Sequence, residues 1–569
     1  MASSIQSSSG TQQIIPSRQT ERPEERAKSD LWIFREGRRE VCGPAMVRGL
    51  VQRLASNASL LDCLIEAGEL ESALADANAP GASASAVLTD ALASRLTAGN
   101  PASTDGLASL AEKIEAPERI GISPPEGFTY YALHPLDFAR VVERIPESSE
   151  TYAVIGIRSI GTTLSAVTVS ALKSQGRTAA RITVRPVGHP YARTTEFSPE
   201  QERWIAEQLS RSAEFLLVDE GPGRSGSTFL SVVEALECLC VPRERIIVVG
   251  SREFDPERLC AENAGTRWRG LHYLSTIPSV STRFVDFSYL GGGDWRKYFL
   301  DQEHNWPESW TQTERLKFLS PDRQMFFKFE GMGPIGSEVR ERAFALAAAG
   351  FSPPVKDAGD GFLSYHVIDG THLQRQAVNP SVLEQIAHYC AFRVSEFRCA
   401  SSNDSELRSM VHFNVQQEFG HEPKLQPEQL STIDSVLVDG RMQPYEWIMS
   451  RSGELFKTDA ISHGDNHFFP GPCDIAWDLA GTAVEWNLNR EAIEFLLGQF
   501  GKFSGIDLSQ RIQDYMLAYC VFRLGFCKMA TSATSDSEEE ARLNLSYMRY
   551  RGRAERLLNL PHRGIEALD

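Results

Sequence analysis

The sequence lacks the features that mark membrane, secreted and zinc-ribbon proteins. No run approaches the roughly eighteen uninterrupted apolar residues of a membrane helix, and the first thirty residues contain no apolar core of a secretory signal. The 10 cysteines form neither a CxxC pair nor a zinc-like quartet. We therefore predict a cytoplasmic protein with reduced thiols and without a membrane partner.

The charge balance limits the partners of the chain. The 569 residues carry 58 Lys and Arg against 75 Asp and Glu, a formal net charge of −17. A general nucleic-acid surface needs an excess of basic side chains, so we predict no nucleic-acid partner. A small phosphorylated substrate is compatible with this charge, because a local nest of backbone amides binds an anion regardless of the overall sign.

Apolar periodicity divides the chain into four predicted parts. They are a disordered polar tail, a helical accessory segment, an α/β domain and an α+β domain, at residues 1–30, 31–118, 119–280 and 285–569. In the α/β part, apolar strands such as 151–157 and 214–220 alternate with helices. This alternation predicts a parallel sheet covered on both faces, with ligands at the carboxyl ends of its strands. The last part is mainly helical, apart from a hairpin around Pro321 and a β-rich segment at 435–461.

The turn LLVDEGPGRSGST (216–228) lies between a buried strand and a helix. Two acids at a strand end can bind the vicinal hydroxyls of a ribose, and a Gly- and Ser-rich loop directs amides toward a phosphate at the helix N-terminus. Here the sequence resembles type I phosphoribosyltransferases. Their signature is an apolar run, two acids and a short Thr- and Gly-rich loop.

The resemblance implies roles for particular residues. Asp219 and Glu220 match the catalytic paired acids, and the loop that binds the 5-phosphate corresponds to Ser225, Gly226, Ser227 and Thr228. The segment IGIRSIGTT (155–163) resembles the diphosphate loop, which implies phosphate contacts from Arg158, Ser159 and Gly161. Candidates for a mobile basic hood are Arg185, His189 and Arg193. The implied activity is glycosyl transfer from a ribose 5-phosphate diphosphate with Mg²⁺, although Gly221-Pro222 and a loop longer by one residue depart from the usual pattern.

The last part of the chain resembles the aminoglycoside and choline kinase family. Its strand MFFKFEG places Lys328 where that family has the lysine that contacts nucleotide phosphates, which implies ATP as a cofactor. The following helix offers Glu338 or Glu341 as the ion-pair partner of this lysine. Glu341 fits better by its spacing to Gly350.

Two segments match the catalytic loop of that family. His463-Gly464-Asp465 matches by letters, but it stands too close to DIAWDLAG (474–481) to leave room for the metal-binding strand. The segment DGRMQPYEWI restores the spacing, with Glu446 and Asp459 as metal ligands and Asp459 as a catalytic acid, yet it places Arg441 where the general base belongs. On that choice, His463, Asp465 and His467 lie in an insertion and form either a metal or acid-base site, or a structural cluster.

The leading hypothesis is therefore a phosphoribosyltransferase-like enzyme fused to a kinase-like domain that phosphorylates or senses a related small molecule. The alternative is a regulatory nucleotide-binding protein whose second half is a pseudokinase. A transferase that runs in the reverse direction, cleaving a nucleotide with phosphate, is also compatible with the sequence.

Overall fold

The computed structural model describes residues 39–56, 58–99, 106–146, 149–400, 404–423, 430–464, 468–469 and 471–559. The polar tail expected at residues 1–30 lies outside these ranges, as do Asp465 and His467. Among the described residues, no helix is long and apolar enough to cross a membrane.

The N-terminal segment is helical, as expected. Its helices are α1 Gly43–Ala55, α2 Leu60–Asp76, α3 Ala82–Thr97 and α4 Leu107–Ala111, flanked by the antiparallel strands β1 Arg39–Val41 and β2 Ile120–Ile122. Helix α2 begins where the Ser59 side chain accepts a hydrogen bond from the Asp62 amide. Residues 60–74 of this helix are all buried. A helix buried on every side is a central element, so α2 joins the neighbouring parts of the fold.

The next part is built on a five-stranded sheet in the order β4-β3-β7-β8-β9, in which every pair is parallel. This confirms the predicted parallel sheet. Its strands are β3 Thr151–Ile157, β4 Thr178–Val184, β7 Glu214–Val218, β8 Ile246–Gly250 and β9 His272–Ser275, with a separate hairpin of β5 Val187–His189 and β6 Ala192–Thr194. The helices are α5 Glu126–Tyr130, α6 Pro135–Val141, α7 Ile160–Ser174, α8 Pro199–Ser210, α9 Ser227–Cys238, α10 Ala264–Trp268 and α11 Ser279–Arg283.

The second half begins with an antiparallel five-stranded sheet in the order β10-β11-β12-β14-β13. Its strands are β10 Ser288–Tyr289, β11 Lys317–Leu319, β12 Met325–Phe329, β13 Val355–Gly359 and β14 Phe362–His366. The helices of this sheet region are α12 Arg296–Phe299 and α13 Gly333–Ala348. The predicted hairpin around Pro321 is confirmed as β11 and β12.

The remainder is mainly helical, with short strands in the region predicted to be β-rich. The helices are α14 Pro380–Glu396, α15 Asp404–Phe419, α16 Ala476–Glu485, α17 Arg490–Ser504, α18 Ile512–Ala533 and α19 Ser537–Asn559. The strands are β15 Gly370–His372, β16 Ser435–Val436, β17 Trp447–Ser450, β18 Leu455–Lys457 and β19 Cys473–Asp474. The hairpin β17–β18 pairs with β15 and thereby fixes the loops on either side of it.

The two halves share buried contacts. One apolar cluster contains Val154 of β3, Phe128 of α5 and Phe329 of β12. The Asp62 carboxylate of α2 accepts hydrogen bonds from the Gly333 amide (2.6 Å) and from Arg340 Nη2 (2.6 Å), and so it caps the first turn of α13. An anion at a helix N-terminus is stabilising, so α2 ties the accessory segment to the helix beside the second sheet.

Candidate functional site

The paired acids predicted in the first half lie directly after β7, at the carboxyl edge of the parallel sheet. The Asp219 amide donates to Val249 O (3.3 Å), and the Ser251 amide donates to Glu220 O (3.0 Å). Burial raises the pKa of Asp219 to about 7, against the lowering effect of the Glu220 and Gly161 amides and of Arg185. Burial together with Asp219 and Glu126 raises the pKa of Glu220 to about 8. The edge therefore holds two half-buried acids whose pKa values are raised by their surroundings.

This burial gives a prediction for Glu220→Gln. A carboxyl whose pKa rises from its ordinary 4.5 to about 8 costs no stability below pH 4.5 and costs the most above pH 8. At about 1.4 kcal/mol per pKa unit the full rise would correspond to about 5 kcal/mol. Because Glu220 is only half-buried, we expect the variant to be more stable than wild type by a smaller amount, about 2 kcal/mol near pH 8, and equally stable near pH 4. Urea unfolding at both pH values measures this. The exposed Glu244 supplies the control Glu244→Gln, and a gain that does not depend on pH would contradict the assignment.

The loop after these acids is held from within the protein. Gly226 has φ +67° and precedes α9. The hydroxyls of Ser225 and Ser227 each donate to the Pro190 carbonyl at 2.7 Å, and both side chains are buried, while Thr228 is half-buried. Pro190 belongs to the turn between β5 and β6, the predicted hood. In this state the loop hydroxyls are therefore bonded to the hood.

The hood side chains also have internal partners. His189 Nδ1 accepts a hydrogen bond from the Tyr191 amide (3.2 Å), and Arg193 Nη1 donates to Gly188 O (2.6 Å). These contacts keep both side chains within their own hairpin.

The residues matched to the diphosphate loop are covered by α2. Arg158 Nη1 donates to Asp76 Oδ1 (3.0 Å), and Arg185 Nη2 donates to Asp76 Oδ2 (2.7 Å). The Ser159 amide donates to Ser72 Oγ (2.8 Å), and Ser159 adopts φ +91°, a conformation that few non-glycine residues take. Helix α2 thus supplies a carboxylate and a hydroxyl to the groups predicted to bind diphosphate.

Gly161 has a packing reason to be glycine. A Cβ there would lie 2.4 Å from Val218 O. Its small size brings the start of α7 against the end of β7, next to the paired acids.

A second site lies in a cavity of about 210 Å³ between the antiparallel sheet and the hairpin β17–β18. Its polar floor includes Lys328 and Glu330 of the β12 region and Asp459, which follows β18. Tyr130 and Tyr131 of the first half also line it. The cavity is therefore formed by both halves of the chain.

Lys328 contacts Asp459, a pairing that the sequence alone does not predict. Lys328 Nζ forms an ion pair with Asp459 Oδ1, contacts Glu330 Oε1 at 2.9 Å and donates to Ser462 Oγ at 3.0 Å. Burial alone would raise the pKa of Asp459, but Lys328 and His463 hold that pKa well below its usual value. Asp459 lies two residues after β18 and has φ +55°, a backbone conformation that residues other than glycine seldom adopt.

Glu341 is not brought to Lys328. Glu338 and Glu341 both lie on the exposed side of α13, and α13 instead turns Arg342 inward, with its Nη2 3.3 Å from Ile461 O. Glu330 takes the place expected for Glu341. The sequence held a signal for it, because Glu330 stands two residues after Lys328 and residues at that spacing share one face of a strand.

Glu446 lies in the cavity wall beside a buried lysine. Lys457 Nζ contacts Glu446 Oε2 at 3.0 Å and Asp439 Oδ2 at 3.2 Å, and Lys457 and Asp439 are fully buried. Burial raises the pKa of Glu446, against the lowering effect of Lys457. Sequence reasoning missed Lys457 and Asp439.

His463 reaches the same place from the other candidate loop. Its Nε2 lies 3.3 Å from Asp459 Oδ2, and its Nδ1 lies 3.7 Å from Asp439 Oδ1. One ligand atom from each of Asp439, Glu446 and His463 lies within 4.8 Å of the others, a spacing compatible with a metal ion. Both segments considered for the catalytic loop therefore contribute to one cavity.

The loop chosen by spacing is held by Asp478 of α16. The Asp439 and Gly440 amides donate to the Asp478 carboxylate at 2.8 and 3.0 Å. Burial raises the pKa of Asp478 to about 6, and Arg393 opposes this. The aspartate of DIAWDLAG thus orients the segment that carries Arg441 and Glu446.

The comparisons with known proteins give similarity only at the level of solved structures. No family model matches, and no curated protein matches. Choline kinase LicA from Streptococcus pneumoniae aligns with 13% identity and a TM-score of 0.30, over 42% of this chain and 90% of that one. A choline/ethanolamine kinase family protein from Mesorhizobium loti aligns with 13% identity and a TM-score of 0.30, over 43% of this chain and 88% of that one. Macrolide 2'-phosphotransferase MphH from Brachybacterium faecium aligns with 13% identity and a TM-score of 0.27, over 44% of this chain and 90% of that one.

These values describe a likeness to kinase structures over about two fifths of the chain, without assigning an activity to it. None of the three is a phosphoribosyltransferase.

Proposed function

We propose that the second half of the chain binds a nucleoside triphosphate such as ATP together with Mg²⁺ and transfers its terminal phosphoryl group to a small molecule. The contact between Lys328 and Asp459 carries this proposal. A strand lysine and an acid after a hairpin, joined on the floor of a cavity, are the two groups that such a ligand would separate. The ammonium would bind phosphate oxygens, and the carboxylate would bind the metal.

The donor atoms of the cavity suit Mg²⁺, which prefers carboxylate oxygens. Asp459 and Glu446 would hold it, with Glu446 exchanging its contact to Lys457 for the metal. A bound Mg²⁺ would neutralise charge on the phosphate oxygens during transfer. The residues of the chain then have separate tasks. Lys328 orients the phosphates, Glu330 keeps the lysine in place, and the cavity walls exclude water.

The first test is Mg²⁺-dependent ATP binding by the Lys328→Met variant. The variant keeps the aliphatic length and removes the charge, so we expect ATP to bind about tenfold more weakly or worse. Lys356→Met is the matched control, because Lys356 is exposed on a strand of the same sheet. Calorimetry with wild type and both variants measures the dissociation constants. Equal affinities in all three proteins would contradict the proposal.

The regulatory alternative uses the same cavity without turnover. It is favoured by Arg441, which stands in the cavity wall on the loop where a general base is expected. Release of ADP from ATP in the presence of acceptors separates the two functions. Saturable ATP binding without ADP release from any acceptor would support a nucleotide sensor.

For the first half we propose a ribose-phosphate site formed by Asp219, Glu220 and the loop 225–228, with Arg158 and Arg185 toward a diphosphate. The position at the carboxyl edge of a parallel sheet supports it. Ligand entry would require the hood to release Ser225 and Ser227, and Asp76 to release the two arginines. Binding of phosphoribosyl diphosphate with Mg²⁺ to wild type and Asp219→Asn tests this, and equally negligible affinity would refute it.

A further inference from the structure

Arg441 differs from the neighbouring arginines Arg315 and Arg523. Among the described residues, the carboxylate nearest its guanidinium is Glu446 Oε1, 3.9 Å from Nη1. That distance exceeds the about 2.7–2.9 Å of a charge-assisted hydrogen bond. Glu446 contacts Lys457 at 3.0 Å, so its carboxylate interacts more strongly with that lysine than with Arg441.

Most neighbouring cations have an acceptor at hydrogen-bond distance, but Lys317 lies only in ion-pair range of Glu314 Oε2, at 3.6 Å. Arg315 Nη1 donates to Glu330 O (2.6 Å), and Lys328 and Lys457 each contact two carboxylates. Arg523 Nη2 donates to Glu308 Oε1 (2.6 Å). Arg523 and Arg441 both lie over the Phe526 ring, with Cζ 4.8 and 5.8 Å from its centroid. Within the described ranges, Arg441 is the cation of this group whose guanidinium has no acceptor at hydrogen-bond distance.

A guanidinium in this state selects a particular ligand chemistry. Its planar fork matches the two oxygens of a carboxylate or a phosphate, and its charge is fixed at every physiological pH. Arg441 also follows Asp439-Gly440, whose amides are held by Asp478, so its backbone is well positioned in the wall. Magnesium binding by Glu446 would remove even the weak contact that Arg441 has. The cavity therefore contains a positioned arginine whose nearest carboxylate among the described residues, Glu446, lies beyond hydrogen-bond distance.

We propose that Arg441 binds the phosphoryl acceptor, and that this acceptor is an anion, a phosphomonoester or a carboxylate. This inference rests on the phosphotransferase function proposed above. Such an acceptor explains why an arginine occupies the position of a general base. The attacking oxygen of a carboxylate or an ionised phosphomonoester carries no proton near neutral pH, so no base is needed to remove one.

The transfer balances without a proton. The acceptor oxygen forms a bond to the terminal phosphorus of ATP as the bond from that phosphorus to the bridging oxygen breaks. The electron pair of the broken bond leaves with ADP. A phosphomonoester gives a diphosphate and a carboxylate gives an acyl phosphate, and the total charge is the same on both sides. Arg441 orients the acceptor through the oxygens that do not attack.

The experiment compares two phosphomonoesters with the neutral alcohols that lack the phosphate, and adds glutamate as a carboxylate. Wild type is incubated with Mg²⁺ and ATP and with ribose 5-phosphate, glycerol phosphate, ribose, glycerol or glutamate, and ADP and phosphorylated products are measured. We expect turnover of a phosphomonoester or the carboxylate and none of the neutral alcohols. Arg441→Gln should raise the KM for that acceptor about tenfold or more, with the KM for ATP unchanged. Arg441→Lys, which keeps the charge and loses the fork, should fall between.

The control variant is Arg451→Gln, because the Arg451 side chain is 82% exposed at the β17–β18 turn. ADP binding by each variant shows that it is folded. Turnover of neutral alcohols at the same rate in wild type and Arg441→Gln would overturn the inference. A loss of ATP affinity without a loss of ADP affinity would also overturn it, because Arg441 would then contact the transferred group.

A wild-type protein that does not bind ATP would refute the phosphotransferase function and leave acceptor recognition to be decided by binding alone. In that case the affinity of glycerol phosphate is measured directly. Arg158→Gln reports any binding in the first half, and an affinity equal in wild type and Arg441→Gln would overturn the assignment of Arg441.

Discussion

Asp459→Asn is expected to weaken ATP binding at saturating Mg²⁺ by about 30-fold or more. The substitution removes the anionic ligand for the metal and leaves the buried Lys328 with one carboxylate instead of two. Without metal we expect the substitution to have the opposite effect on ATP affinity. In a chelator, wild-type Asp459 repels the phosphates, so the variant should bind ATP as well as wild type or better. Calorimetry of wild type and variant measures the dissociation constant of ATP with and without Mg²⁺.

The control for this variant is Asp369→Asn, because the Asp369 side chain is 71% exposed. An equal loss of ATP affinity with and without Mg²⁺ would indicate that Asp459 supports the fold of the cavity rather than a metal. Unchanged affinity in both conditions would remove Asp459 from the site.

Lys457→Met is expected to destabilise the protein by about 3–5 kcal/mol. Lys457 is fully buried between Asp439 and Glu446, and its removal leaves two carboxylates without their cation. A protonated carboxyl needs no counter-charge, so the loss of unfolding free energy in the variant should become smaller as the pH falls toward about 5. Urea unfolding of wild type and variant at about pH 8 and about pH 5 measures the difference.

The double variant Lys457→Met with Glu446→Gln tests the same network from the other side. Removing one of the two carboxylates should restore part of the lost stability. A deficit that is the same at both pH values, and that the second substitution does not reduce, would show that Lys457 contributes through packing instead.

The parallel sheet is predictable from the sequence because its strands are continuous apolar runs. Residues 151–157 and 214–218 are neighbouring strands of this sheet. A continuous apolar run of this length is typical of a strand that is buried on both faces. The hairpin around Pro321 was equally clear. The sequence predicts only an accessory role for the helical segment 31–118. Its periodicity does not show that Asp62 caps α13 or that Asp76 pairs with Arg158 and Arg185.

The nucleotide site is predicted from the kinase resemblance and the motif spacing that it requires. Lys328, Asp459 and Glu446 all line one cavity, and their roles in it stay a prediction. The prediction of Glu341 is wrong, because it depends on spacing to Gly350 beyond the end of α13, while Glu330 directly follows the strand that carries Lys328. His463 shows a further limit. Its loop is separate in sequence from the loop that carries Asp439 and Arg441, and only the fold brings His463 to Asp439 and Asp459.

The most direct test of the phosphate-binding cavity is a crystal structure of the full chain with Mg²⁺ and a non-hydrolysable ATP analogue. The account predicts that the contact between Lys328 and Asp459 is broken, with phosphate oxygens about 3 Å from the Lys328 ammonium and the metal about 2.1 Å from an Asp459 oxygen. Nucleotide bound elsewhere, with Lys328 still paired to Asp459, would contradict it.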